Sequence, residues 1–266
     1  MIIIKVGGGR DINWNYVCQD IASLVKKEKV VVVHGANYRR DKVARKLGHP
    51  TKNIISPSGV ASVYTDKKAL EIFLMVYAGL VNKQIVAKLQ KLGVSAVGLS
   101  GVDGRLWEAK RKANTLVKEK GKTKLLRNNF VGRVEKVNTN FLNILLNNGY
   151  VPVICPPAIS FDSEIVNVDN DLAVAVLARE LNVKKIVNLF EAPGLLMDSS
   201  DERTKVERIE KEKVDDYLNL VNGRMKKKVM GAKYAIDAGI ESIYWGYGRV
   251  KNPIKKALAG RGTVIQ

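Results

Sequence analysis

The chain has 266 residues, 46% of them hydrophobic, and 45 Lys and Arg against 26 Asp and Glu give a formal net charge of +19. That length suits one large α/β domain or two closely packed lobes, and apolar runs such as Val30–Val33 are far too short to span a bilayer. Two cysteines (Cys18, Cys155) and two histidines (His34, His49) argue against structural zinc and fit buried thiols in a reducing cytosol, while the excess positive charge favours an anionic partner without choosing among nucleotide, nucleic acid and acidic protein.

Met1–Lys5 reads as a strand rather than a signal peptide, since it has no basic leader and glycines follow at once. Strands are predicted at Ile2–Val6, Val30–Val33, Val94–Leu99, Val151–Ile154, Lys185–Leu189 and Ser242–Trp245. Several are continuous apolar runs, as parallel strands buried on both faces require. Amphipathic segments lie between them: Asn13–Lys27, about Arg40–Leu47, one or two helices within Thr65–Leu92, Leu172–Leu181, and a helix opening at Gly223 and running to about Asp237. This alternation predicts an αβα sandwich around a mainly parallel central sheet.

One region breaks the rhythm. Arg105–Lys136 holds eleven basic residues against three acidic ones, a net +8, with Gly121 near its middle, and reads as a β-hairpin arm. A charge run can be no more than a solvated surface. Its single sign favours docking of an acidic partner, and its few aromatics, Trp107 and Phe130, give base stacking little to use.

Chemistry is expected at four places. Lys5-Val6-Gly7-Gly8-Gly9 ends the first strand with glycines whose N–H groups can cradle an anion, although no Gly-Lys-Ser/Thr follows to make a Walker loop. Taken alone it is equally a plain strand-to-helix turn. Val33-His34-Gly35-Ala36 repeats the arrangement at a second strand end, with His34 read as structural. Asn167-Val168-Asp169-Asn170-Asp171 precedes a helix and is either an N-cap or a set of groups that orients lysines or substrate. Gly223-Arg224-Met225-Lys226-Lys227-Lys228 puts lysines at a helix start, where the dipole disfavours them unless an anion is close.

In their order and spacing these segments, with Tyr64-Thr65-Asp66, Val81-Asn82-Lys83, Val97–Gly104 and Gly248–Ile254, resemble the amino acid kinase family over essentially the whole chain. The resemblance is strongest to the acetylglutamate-kinase branch, and within it to the LysW type, which acts on aminoadipate or glutamate attached to a small acidic amino-group carrier protein. It implies the carbamate kinase-like fold over residues 1–266, with an acyl-substrate and dimerisation lobe at 1–165 and a nucleotide lobe at 166–266. Lys5 and Lys228 would stabilise the transferring phosphoryl group and Asp171 would hold both. Gly8 and Gly9 would bind phosphate. Gly35, Ala36, Val63 and Asn167 would meet the acyl substrate. ATP would lie near Asn188–Leu196 and Asp198, with Mg2+ held mainly through its phosphates.

The resemblance further implies a cytoplasmic homodimer without membrane or nucleic-acid partners. Two departures stand out. Val63 occupies the place of an arginine that reads the substrate α-carboxylate, and cannot make a bidentate carboxylate contact. Ala36 replaces a glycine but keeps its N–H. The rival readings are a kinase of free N-acetylglutamate, a basic nucleic-acid-binding protein, and a non-catalytic regulatory member, against which the presence of Lys5, Asp171 and Lys228 argues.

Overall fold

The structure is a computed structural model that describes residues 1–57, 59–119, 122–221 and 223–266. The N-terminal half begins with β1 (Ile2–Val6), α1 (Trp14–Leu24), β2 (Val30–His34), α2 (Asn37–Lys46), β3 (Lys52–Ile55), β4 (Ala61–Tyr64), α3 (Lys67–Phe73) and α4 (Asn82–Gln90), the last two joined by a π-helical stretch at Leu74–Val81. It continues through β5 (Ala96–Gly101), β6 (Trp107–Arg111), β7 (Thr115–Glu119), β8 (Lys122–Leu126), β9 (Val131–Val137), α5 (Thr139–Asn147), β10 (Val151–Ser160) and β11 (Ile165–Val168). The C-terminal part has α6 (Asn170–Glu180), β12 (Lys185–Phe190), β13 (Leu195–Leu196), β14 (Lys205–Val206), β15 (Arg208–Ile209), α7 (Val214–Leu220), α8 (Gly223–Asp237), β16 (Ser242–Tyr247), α9 (Pro253–Leu258) and β17 (Thr263–Ile265).

One eleven-stranded sheet runs through the molecule in the order β11-β9-β6-β10-β2-β1-β12-β16-β17-β15, with β5 pairing on β10. Its centre is parallel: β1 pairs with β2 and β12, β2 with β10, and β12 with β16. The αβα sandwich predicted from the strand–helix alternation is therefore what forms. Side chains alternate across β1. Ile3 joins the core under α5, α6 and α8, whereas Ile2, Ile4 and Val6 join the core under α1, the α3–α4 helix and α9. Lys5 shares the face of Ile3, so its side chain is directed toward α6 and α8.

Several boundaries move for local reasons. The β5 strand starts at Ala96 rather than Val94, because Val94 N still bonds back to Leu89 O of the preceding helix at 3.1 Å. Helix α2 starts at Asn37, directly after Ala36 and without a side-chain cap. The α3–α4 helix, Lys67–Gln90, is 24 residues long and by length and composition could cross a membrane. Its inner face, including Ile72, Phe73, Val76, Ile85 and Leu89, is buried in the second core, which identifies it as a core helix.

The basic arm is more than one hairpin. Its outer strands, β6 and β9, are members of the main sheet, and only the β7–β8 hairpin stands apart from it. Gly121, which the sequence puts near the middle of the arm, lies outside the described residues, as does Lys120.

Asn82 ties the helix to the sheet. Its Nδ2 donates to Val153 O at 2.9 Å and to His34 Nε2 at 3.1 Å. An amide N–H can only donate, so Nε2 is the acceptor and Nδ1 carries the proton that His34 gives to Gly35 O at 3.2 Å. Burial pushes the His34 imidazole down to about 4, so it stays neutral. Asn82→Ala would leave Val153 O and His34 Nε2 bare in a dry interior, at a cost of about 1–3 kcal/mol. Urea denaturation should show a lowered midpoint; an unchanged midpoint would mean the contact contributes nothing.

Candidate active site

The carboxyl ends of β1 and β2 meet the first turn of α6 and the second turn of α8. Lys5, the penultimate residue of β1, is 4% exposed, and its Nζ lies 2.5 Å from Asp171 Oδ1. Asp171 is held by its helix: Asp169 caps α6, accepting from Asp171 N at 2.9 Å and Leu172 N at 3.4 Å. The two readings of this Asp/Asn segment are thus divided between two residues, Asp169 as cap and Asp171 as partner of the lysine. Lys227 Nζ adds a 3.2 Å contact to Asp169 Oδ2. Asn170 Nδ2 donates to His34 O at 2.9 Å and joins the start of α6 to the end of β2.

Lys228 comes from the other side, half-buried on α8, with its Nζ 4.5 Å from the centre of the Phe190 ring. The approach of α8 to α6 depends on Gly231, where a Cβ would lie 2.8 Å from Asp171 Cβ. Burial acts on the Asp171 carboxyl to raise its pKa, but Lys228, Lys5 and Lys227 together outweigh it and hold the group at about 2. Desolvation brings the Lys228 ammonium down to about 8, Lys5 adding to the fall and Asp171 opposing it. Two ammonium groups and one permanently ionised carboxylate leave a local excess of positive charge at this strand end.

The two glycine-containing loops lie against each other. A Cβ on Gly8 would overlap Ala36 N and Asn37, and one on Gly35 would lie 2.8 Å from Gly8 N. Tyr38 N donates to Gly8 O at 2.9 Å, which fixes their spacing. The first loop already holds a carboxylate: Glu191 Oε1 accepts from Arg10 N at 2.7 Å and Asp11 N at 3.4 Å and sits against Gly9. An oxyanion fits this loop, and Glu191 fills it here. Asn188, Lys5's partner in the β1–β12 ladder, presents a buried Oδ1 with no hydrogen-bond partner among the described residues.

Lys5, Asp171, Lys228, Gly8, Gly9, Gly35 and Ala36 thus gather at one end of the sheet. Val63 and Asn167 form a second group. Asn167 Nδ2 donates to Thr65 Oγ1 at 3.1 Å, and Val63, two residues earlier, lines a cleft with Arg40, His49 and Lys52. Asp198, placed near ATP by the resemblance, is turned into a local loop and accepts from Ser200 N at 2.8 Å and Ser200 Oγ at 2.6 Å. Sequence reasoning missed Glu191 and Gly231. Neither has a local signature, because each matters through a contact made across the fold.

Known proteins give an independent comparison. Residues 1–244 match the model of the amino acid kinase family. The chain is 46% identical over 269 residues to LysW-aminoadipate kinase of Thermus thermophilus, covering all of both chains. It is 38% identical over 270 residues to a putative LysW-aminoadipate/LysW-glutamate kinase of Nitrosopumilus maritimus, covering 100% of this chain and 99% of that one. Carbamate kinase from Giardia has the same fold, with a TM-score of 0.70 at 16% identity over 99% of this chain and 97% of that chain.

The depressed Lys228 value carries a pH signature. Below about 8 the ammonium is charged; above it the site loses one of its two cations. In the free enzyme kcat/KM for ATP should therefore fall as pH rises through that value. Lys228→Arg, whose guanidinium keeps its charge, should be slower but should not show that fall. A wild-type profile flat through this range would remove Lys228 as a required cation.

Proposed function

This chain belongs to the amino acid kinase family, and we propose that it transfers the γ-phosphoryl group of ATP to the side-chain carboxylate of aminoadipate or glutamate borne by an acidic amino-group carrier protein. The product is an acyl phosphate of lysine biosynthesis, with arginine or ornithine biosynthesis served by the glutamate form. The observation that carries the reading is the Lys5–Asp171–Lys228 cluster, buried at Lys5 and half-buried at the other two, beside two glycine loops. The acceptor carboxylate is ionised at neutral pH and needs no general base. One of its oxygens forms a bond to the γ-phosphorus while the bond from that phosphorus to the β,γ-bridging oxygen breaks, and ADP leaves with the electron pair. No proton moves. The site's task is alignment and stabilisation of charge on the phosphoryl oxygens, which suits two lysines and backbone N–H groups.

Lys5 and Lys228 approach the phosphoryl group from β1 and α8, and Asp171 keeps them from repelling each other apart. Gly8 and Gly9 offer N–H groups to phosphate once Glu191 withdraws. Gly35, Ala36 and Asn167 face the acyl side. Among the described residues no three His, Cys, Asp or Glu side chains group as metal ligands, and Asp171 is taken by its lysines, so magnesium would be held through the nucleotide's phosphates and water. There it would neutralise β- and γ-phosphate charge.

Residues 1–165 serve the acyl substrate and the dimer contact, and 166–266 bind nucleotide near Asn188–Leu196. Exposed Met75 and Leu80 on the outer face of the α3–α4 helix support a homodimer built on that helix. The cytoplasm is the proposed compartment.

The arm supports a carrier as the bearer of the substrate. Not all of its charge is available: Arg111 pairs with Glu164 and stacks on Phe130, Arg105 pairs with Glu108, and Lys124 pairs with Glu119. Lys110, Lys112, Lys118 and Lys122 are exposed. Charges of this kind steer an acidic protein over about one Debye length, roughly 8 Å at physiological salt, and act on association rate. Changing these four to Gln should slow carrier association in stopped flow and flatten its salt dependence, with kcat retained. Association as fast as wild type at low salt would reduce the arm to a solvated surface. Wild-type turnover of free N-acetylglutamate as fast as of carrier-borne substrate would favour the free-substrate kinase instead.

A further inference from the structure

The acceptor proposed above has two carboxylates. The side-chain one attacks phosphorus; the α-carboxylate does not react, and being charged it requires a cation or water wherever it is bound. Val63 offers neither. The same cleft, however, contains an arginine from another element.

Arg40 is only 7% exposed, which is rare for arginine. It lies one turn into α2, its N bonded to Ala36 O at 2.9 Å, so it rises directly from the loop placed at the acyl side of the site. Its guanidinium carbon is 4.9 Å from the centre of the Phe73 ring. Nε and Nη2 both donate to a single oxygen, Asp41 Oδ1, at 2.9 and 2.7 Å, and Thr51 Oγ1 donates to the same atom at 2.7 Å. Asp41 and Phe73 thus fix one edge and one face of the guanidinium. Nη1 makes no hydrogen bond among the described residues. The cleft it lines is bounded by Val63 and Tyr64 and contains two further nitrogen-bearing side chains, His49 and Lys52. His49 Nε2 is engaged by Asp66 Oδ1 at 3.0 Å, which leaves Arg40 as the well-anchored cation of this cleft. Thr65, directly after β4, accepts from Asn167 Nδ2 of β11 at 3.1 Å, so one hydrogen bond joins the strand that carries Val63 to Asn167.

A buried arginine held by one edge is preorganised to bind a carboxylate with what remains. We infer that Arg40 is a specificity-determining residue that binds the non-reacting α-carboxylate of the acyl substrate in the cleft walled by Val63. The inference rests on the acyl-phosphate reading above. It places the cation in the same cleft as position 63.

The test compares two carrier-borne acceptors, aminoadipate and its analogue lacking the α-carboxylate, 5-aminopentanoate, on wild type, Arg40→Gln, Arg40→Lys and Arg40→Gln/Val63→Arg. Wild type should prefer aminoadipate through acyl KM by about 10- to 100-fold, the value of a charge-assisted hydrogen bond. Arg40→Gln should lose most of that preference while its KM for ATP stays at the wild-type value, and Val63→Arg added to it should restore the preference. If Arg40→Gln does not fold, Arg40→Lys, which keeps a charge over Phe73, should show an intermediate preference. Undiminished discrimination by Arg40→Gln, or by Arg40→Lys when only that variant folds, would overturn the assignment. Failure of wild type to phosphorylate either acceptor would instead overturn the acyl-carrier reading, and the inference with it.

Discussion

The Lys5 ammonium pairs with Asp171 and the Lys228 ammonium lies in the field of the same carboxylate, and much of the molecule serves to keep them there. Removing an ammonium from water costs several kcal/mol in a protein interior, and two like charges side by side add repulsion. Asp171 offsets both, which is why its carboxyl remains ionised down to about 2 although burial alone would raise it. The compensation is deliberately incomplete in charge terms: one carboxylate against two lysines leaves room for an anion. Desolvation that brings Lys228 to about 8 shows the same tension from the cation's side.

The architecture follows from placing those groups. A parallel sheet puts the carboxyl ends of β1, β2 and β12 side by side, so that Lys5 lies in register with Asn188 on one side and Val33 on the other, and Gly35 follows just past the end of β2. Helix α6 delivers Asp171 from an Asp169 cap, and Gly231 lets α8 come close enough to bring Lys228. Behind the loops, His34 and Asn82 form a neutral hydrogen-bonded brace that steadies the Gly35 carbonyl and takes no part in proton transfer. The reaction needs no base there. The residues proposed for the acyl side come from different parts, the start of α2, β4 and β11.

What the sequence makes legible follows from how local each signal is. Central strands such as Val30–His34 declare themselves because burial on both faces demands unbroken apolar runs. Strands β6 and β9 do not, since each mixes buried and exposed positions with many charges, and a reader sees only a basic stretch. Lys5, Asp171 and Lys228 stand in short recognisable segments, so the cluster can be anticipated residue by residue from a family resemblance. Arg40 cannot, because nothing around it in the chain distinguishes it from Arg39 or Arg45; only Phe73 and Val63, brought near by the fold, do. Glu191 is hidden for the same reason, its partners lying at Arg10 and Asp11.

The central claim is that Lys5, Asp171 and Lys228 act as one unit on the phosphoryl group. Single-turnover phosphoryl transfer, measured at saturating ATP and acceptor for Lys5→Ala, Lys228→Ala and the double variant, tests it most directly. Each single change should slow transfer by about 10²–10³ fold with little change in ATP affinity, and the double variant should be much less impaired than the product of the two, as groups acting together require. Transfer at nearly the wild-type rate in either single variant would contradict the account.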